Sequence, residues 1–148
     1  MDGVIDILVV DDFQPFRTWV SSELKNEPGW RVIADATDGL EAVQKAQEFC
    51  PDLIILDIGL PRLNGIEAAR LILRTNPAPK IIFLSQESSA DVVSEAIRLG
   101  ASGYVVKAHA GDQLLKAVRA VLQGKRYVST GLPAKIYADG SSTDRESL

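Results

Sequence analysis

Short runs of consecutive apolar residues alternate along this chain with longer stretches in which apolar residues recur every three or four positions. Ile5–Val10, Trp30–Ala36, Leu53–Leu56, Lys80–Leu84 and Gly103–Val106 carry the first pattern and predict five strands. Leu53–Leu56 and Ile81–Leu84 contain no polar residue, as expected of strands covered on both faces. The second pattern predicts a helix after each strand. Phe16, Trp19, Val20 and Leu24 mark the first helix; Leu40, Val43 and Ala46 mark the second. Ile66, Ala69, Ile72 and Leu73 mark the third, and Val92 or Val93 with Ala96 and Ile97 the fourth. Leu114, Leu115, Val118, Val121 and Leu122 mark the fifth.

The punctuation between these elements agrees with the period. Asp38 with Glu41, and Asn64 with Glu67, have the spacing of a helix N-cap and its acidic partner; Ser88 with Asp91 is a looser version. Pro15 suits a first helical turn, where its missing N–H costs little. Gly100 and Gly124 follow their helices where a left-handed residue is wanted. Strict alternation of strand and helix implies a doubly wound parallel sheet with right-handed crossovers. Sites in such sheets lie at the carboxyl ends of the strands, where the strand order reverses. From Ser129 onward Gly, Pro and Ser replace large apolar residues, with room for a short helix around Pro133–Ala138. The expected division is a folded domain over 4–124 and a tail or linker start over 125–148.

Composition narrows the class. A chain of 148 residues with 46% hydrophobic content suits one domain and a short extension. A net charge of −4 argues against a general nucleic-acid or membrane-surface binder. One cysteine, Cys50, excludes an internal disulfide and reads as a small apolar residue at a helix end. No apolar run approaches the roughly 18 residues that span a bilayer. Met1–Asp6 has neither a basic leader nor a signal-peptide pattern, so a cytoplasmic location is expected.

Chemistry enters at the predicted strand ends. The first strand runs into Asp11 and Asp12, the third into Asp57, the fourth into Ser85 and the fifth into Lys107. Taken singly, each has an ordinary use: an Asp or Ser caps a helix or starts a turn, and a loop Lys is solvated. Taken together, three carboxylates, a hydroxyl and an ammonium converge on one edge. Neighbouring carboxylates repel and call for a counter-charge. A hard divalent cation answers that need, and Mg²⁺ typically takes one or two carboxylates plus phosphate oxygens. Three aspartates are balanced by Mg²⁺ and Lys107, so a phosphoryl group meets no surplus of negative charge. A carboxylate can itself serve as nucleophile and form an aspartyl phosphate. His109 is read as a solvated loop residue without a role.

These residues make the chain resemble the response-regulator receiver family over about residues 4–124. The resemblance is carried by ILVVDD ending at Asp12, LIILDIGLPRLNGIEAAR from Leu53 to Arg70, IIFLS ending at Ser85, and GASGYVVK ending at Lys107. Asp57, Leu60, Pro61, Gly65 and Glu67 meet the family's loop pattern. The resemblance implies a flavodoxin-like fold with strand order 2-1-3-4-5. It also implies that Asp57 takes a phosphoryl group from a phosphohistidine of a sensor histidine kinase. Asp12, Asp57 and the backbone carbonyl of Gly59 would bind Mg²⁺, with Asp11 acting mainly through water. Lys107 would pair with Asp57 and then with phosphoryl oxygens, and Ser85 would donate its hydroxyl to them. Tyr104 matches the switch aromatic, whose turn inward would reshape the face of the fourth helix, fifth strand and fifth helix. A homodimer through that face is compatible with the resemblance. The chain departs from the common pattern in Ala108, where many members carry proline, and in Gln86; together with Gly59, Gln86 bears on water access to the phosphoryl group.

Other classes fit less well. An aspartate-nucleophile phosphatase of haloacid-dehalogenase type wants a second acid where Gly59 stands. A nucleotide-binding domain wants a glycine-rich loop after the first strand, and none is present. The segment Leu114–Ser129 resembles receivers that precede a LuxR/NarL-type helix-turn-helix module. The expected output is therefore transcription, with DNA reached only through a domain not present in this chain and no membrane partner. A stand-alone receiver acting through protein contacts is the alternative.

Overall fold

The computed structural model describes residues 3–129. The expected short helix around Pro133–Ala138, and the rest of 130–148, lie outside the described residues. The chain divides into two units, residues 1–80 and 81–148.

The first unit contains β1 (Ile5–Val10), α1 (Gln14–Lys25), β2 (Trp30–Ala36), α2 (Gly39–Phe49), β3 (Leu53–Leu56) and α3 (Gly65–Thr75). β1 pairs in parallel with β2 on one side and β3 on the other. Leu53–Leu56 are all buried, as a strand covered on both faces requires. Each such side chain stabilises the fold by about 1.5–3 kcal/mol relative to exposure. β1 to β2 register slips between Ile7 and Leu8, so Ile33 has no partner across the ladder. A bulge of this kind twists the strand and spoils it as a template for further pairing. Asp38 and Asn64 cap α2 and α3 as their spacing predicts, accepting from the N–H of Glu41 and of Glu67. The Glu41 carboxylate reaches the Thr37 N–H at 2.8 Å. Pro15 sits in the first turn of α1. Cys50 does end α2, but it is exposed and left-handed (φ 48°) rather than a packed apolar residue.

The second unit contains β4 (Lys80–Ser85), α4 (Ala90–Arg98), β5 (Gly103–Val106), α5 (Ala110–Leu122) and β6 (Tyr127–Val128). β4 with β5, and β5 with β6, pair in parallel. Ser85 is the last residue of β4 rather than the first beyond it. The cap of α4 is Ser89, one residue later than the spacing suggested, and its hydroxyl accepts from the Val92 N–H. Gly100 and Gly124 adopt φ of 114° and 87° after their helices, conformations that disfavour a side chain. Tyr127–Ser129 fall in the segment read as a tail, yet all three are buried. The sheet order is β2-β1-β3-β4-β5-β6, so the flavodoxin-like order of the first five strands stands with one strand added. Among the described residues no helix is long and apolar enough to cross a membrane.

Candidate functional site

Hydrogen bonds that prolong the β ladders past the strand ends build the acidic site of the first unit. The Asp11 N–H donates to the Ala36 carbonyl at 3.1 Å, and the Asp57 N–H donates to the Val10 carbonyl at 3.1 Å. These two bonds bring the residues after β1 and β3 side by side. Asp11, Asp12 and Asp57 each place a carboxylate oxygen within 4.8 Å of the others. Asp11 and Asp57 are 3% and 6% exposed, whereas Asp12 faces solvent. Burial weakens the screening that water would supply, so the cluster favours a cation.

Each acid is oriented locally. Asp11 Oδ1 accepts from the Phe13 N–H at 2.9 Å, which folds the chain sharply after β1. Neither acid of the pair caps α1, whose N-cap is Phe13 with no side-chain bond. Asp57 Oδ1 accepts from the Ile58 N–H at 2.7 Å and, more loosely, from the Gly59 N–H at 3.4 Å. Ile58 and Leu60 are buried and anchor the loop that follows. The Gly65 N–H returns to the Ile58 carbonyl at 2.8 Å. A side chain at Gly65 would overlap the Asp57 carbonyl oxygen, so glycine alone lets α3 start flush against the acid-bearing turn. Gly59 is exposed, with open space where a side chain would project.

The donor set fits a hard cation: three carboxylates, all oxygen, with no soft or imidazole ligand in the group. Mg²⁺ is compatible because it needs few protein oxygens and keeps its own waters.

The second unit carries the remaining predicted residues. Ser85 is 2% exposed at the end of β4, and its Oγ accepts from the Glu87 N–H at 3.1 Å. A hydroxyl that accepts can still donate its own proton. Lys107 is half-buried and opens a single 3-10 turn to His109 directly after β5. No peptide bond among the described residues is cis. The Tyr104 ring is fully buried, 6.2 Å from that of Phe83, and its hydroxyl donates to the Glu87 carbonyl at 2.7 Å. His109 is exposed.

Two polar groups escaped the sequence reading. Arg17 donates to the Asp11 carbonyl and to Asp35. Ser129 Oγ donates to Gln113 Oε1 at 2.6 Å while accepting from the Val106 N–H at 3.1 Å. The available signal was position: Arg17 shares a helical stripe with Val20 and Leu24, and Gln113 shares one with Ala117 and Val121.

A family model for the response regulator receiver domain matches residues 7–119. The transcriptional regulatory protein DegU of Brevibacillus brevis is 39% identical over 127 residues, covering 86% of this chain and 54% of that protein. The chain thus spans about half the length of that relative. The chemotaxis protein CheY of Listeria monocytogenes is 36% identical over 115 residues, covering 78% of this chain and 96% of that one. Among solved structures, a LuxR-family two-component response regulator from Aurantimonas sp. SI85-9A1 superposes with a TM-score of 0.81 at 30% identity. That match covers 93% of this chain and 96% of the other.

Proposed function

We propose a phosphoacceptor function for this chain, which belongs to the response regulator receiver family. Receivers are signalling domains, and the proposal concerns the chemistry by which this one is switched. Asp57 accepts a phosphoryl group from a phosphohistidine of a sensor histidine kinase. One Asp57 oxygen forms the bond to phosphorus as the phosphorus–nitrogen bond breaks, and the imidazole nitrogen leaves with the electron pair. The observation that carries this reading is the meeting of Asp11, Asp12 and Asp57 within 4.8 Å.

Asp12, Asp57 and the Gly59 carbonyl would hold Mg²⁺, with Asp11 placed to act through water. When bound, that ion supplies positive charge to the phosphoryl oxygens. Lys107 supplies a second cation to those oxygens, and Ser85 donates its hydroxyl; both assignments rest on sequence positions after β5 and at the end of β4. The buried Tyr104 ring and its bond to Glu87 support a switch role, by which the α4, β5 and α5 face changes with the state of the site. Dimerisation through that face, and a cytoplasmic setting, belong to the same proposal. The output proposed is transcription, through a DNA-binding domain outside this chain, as the transcriptional relative suggests. The CheY relative favours a second reading, a receiver of 4–124 that acts by protein contacts alone.

Acetyl phosphate labelling tests the chemistry. Labelling should require Mg²⁺ and disappear in Asp57→Ala; label that persists in that variant rejects Asp57 as acceptor. A phosphoryl mimic should shift amide resonances of α4, β5 and α5, and unchanged spectra there reject the Tyr104 switch. Sedimentation with and without the mimic tests the dimer.

A further inference from the structure

Arg17 holds a place that a charged side chain rarely takes. It lies on the inward stripe of α1, and its side chain is only 14% exposed. Two acceptors on two different elements hold it there. Nη1 donates to the Asp11 carbonyl oxygen at 2.8 Å, past the end of β1. Nε donates to Asp35 Oδ2 at 3.1 Å, near the end of β2. A guanidinium offers its donors in a rigid fork and can serve both; an ammonium is a point charge on a flexible stem.

The bond to Asp11 matters because of which peptide it touches. The Asp11 carbonyl belongs to the planar unit that joins Asp11 to Asp12, so holding its oxygen fixes the plane from which Asp12 departs. The same short loop is tied at three further points. The Asp11 N–H is held by Ala36 at 3.1 Å, Asp11 Oδ1 by the Phe13 N–H at 2.9 Å, and the Phe13 carbonyl by the Arg17 N–H at 3.0 Å. Arg17 therefore anchors the loop through both its backbone and its side chain. Asp35 offsets the charge of the guanidinium, so Arg17 acts by geometry and not as a rival cation.

We propose that Arg17 is a positioning residue for the cation-binding acids, acting through the Asp11–Asp12 peptide; this rests on the metal-dependent reading above. Replacing Arg17 alone would leave Asp35 uncompensated and draw Mg²⁺ by charge. The double variant Arg17→Gln/Asp35→Asn removes one charge of each sign and avoids that confusion. Mg²⁺ titration followed by amide NMR, far below the Tm, should give a Kd raised roughly tenfold. In metal-free protein the Phe13 amide should exchange faster, a change that a uniform loss of stability would not confine to this loop. Arg17→Lys keeps the charge without the fork and should also weaken Mg²⁺ binding; it carries the test alone if the double variant does not fold. Parental Mg²⁺ affinity in either folded variant overturns the proposal. A parent chain that binds no Mg²⁺ overturns the metal-dependent reading instead, so the two failures are told apart.

Discussion

Past the ends of β1 and β3, three carboxylates lie within 4.8 Å of one another. Beside β5, several buried polar groups are neutral and hydrogen-bonded: Ser129 to Gln113 and Val106, and Tyr104 to the Glu87 carbonyl. Among the described residues no buried side-chain nitrogen or oxygen lacks a hydrogen-bond partner. The difference lies in the kind of group that each region gathers. Backbone bonds hold the acids in place, and their all-oxygen group could hold a hard cation. The β5 region is already satisfied, so its state changes only if one bond is exchanged for another.

Four substitutions sharpen this contrast, beginning with the largest effect. Gly65→Ala forces a methyl group into the Asp57 carbonyl and should destabilise the chain by about 3 kcal/mol, read by urea unfolding. A stability near the parent's would mean that the α3 start is not rigidly seated against the acid-bearing turn. Ser129→Ala removes the bonds to the Val106 N–H and to Gln113 Oε1 in a buried setting and should cost about 1–3 kcal/mol. If it costs nothing, β6 is not held as described. Asp12→Asn should act in the opposite direction on metal-free protein, raising stability by about 0.5 kcal/mol as repulsion falls. The same change should weaken Mg²⁺ binding, and a metal titration unchanged from the parent would reject the ligand role of Asp12.

The smallest effect concerns pH. Glu41 has a pKa below its ordinary 4.5, chiefly because the Thr37 N–H donates to it, with Lys45 helping and partial burial opposing. A carboxylate with a lowered folded pKa contributes stability that is present above 4.5 and lost as pH falls through the folded value. Glu41→Gln should therefore flatten the decline in stability below pH 4.5, leaving the profile above it parallel to the parent's. Parallel profiles throughout the acid range would reject the contribution.

Much of this was legible in the residues. Continuous apolar runs marked buried strands because a strand covered on both faces tolerates no polar side chain. Asp38 and Asn64 announced helix starts because a side-chain oxygen there meets an otherwise unpaired N–H. The cap of α4 was misplaced by one residue because Ser88 and Ser89 are adjacent and chemically equal. β6 was not foreseen because a two-residue strand carries no period, and its pairing with β5 is a long-range event. Arg17 and Gln113 were passed over because periodicity counts apolar positions and gives no sign when a polar group shares the same stripe.

The sequence by itself determined the element order and the parallel alternation, and it put Asp11, Asp12, Asp57, Ser85 and Lys107 at the carboxyl ends of strands. Those follow from local period, turn chemistry and residue type, which are properties of neighbours along the chain. Only the tertiary structure decided that the three acids share one small volume, that Arg17 grips the peptide between two of them, and that Ser129 closes over β5. Such contacts join residues far apart in sequence, and their geometry is fixed by packing and hydrogen bonding that no local pattern encodes.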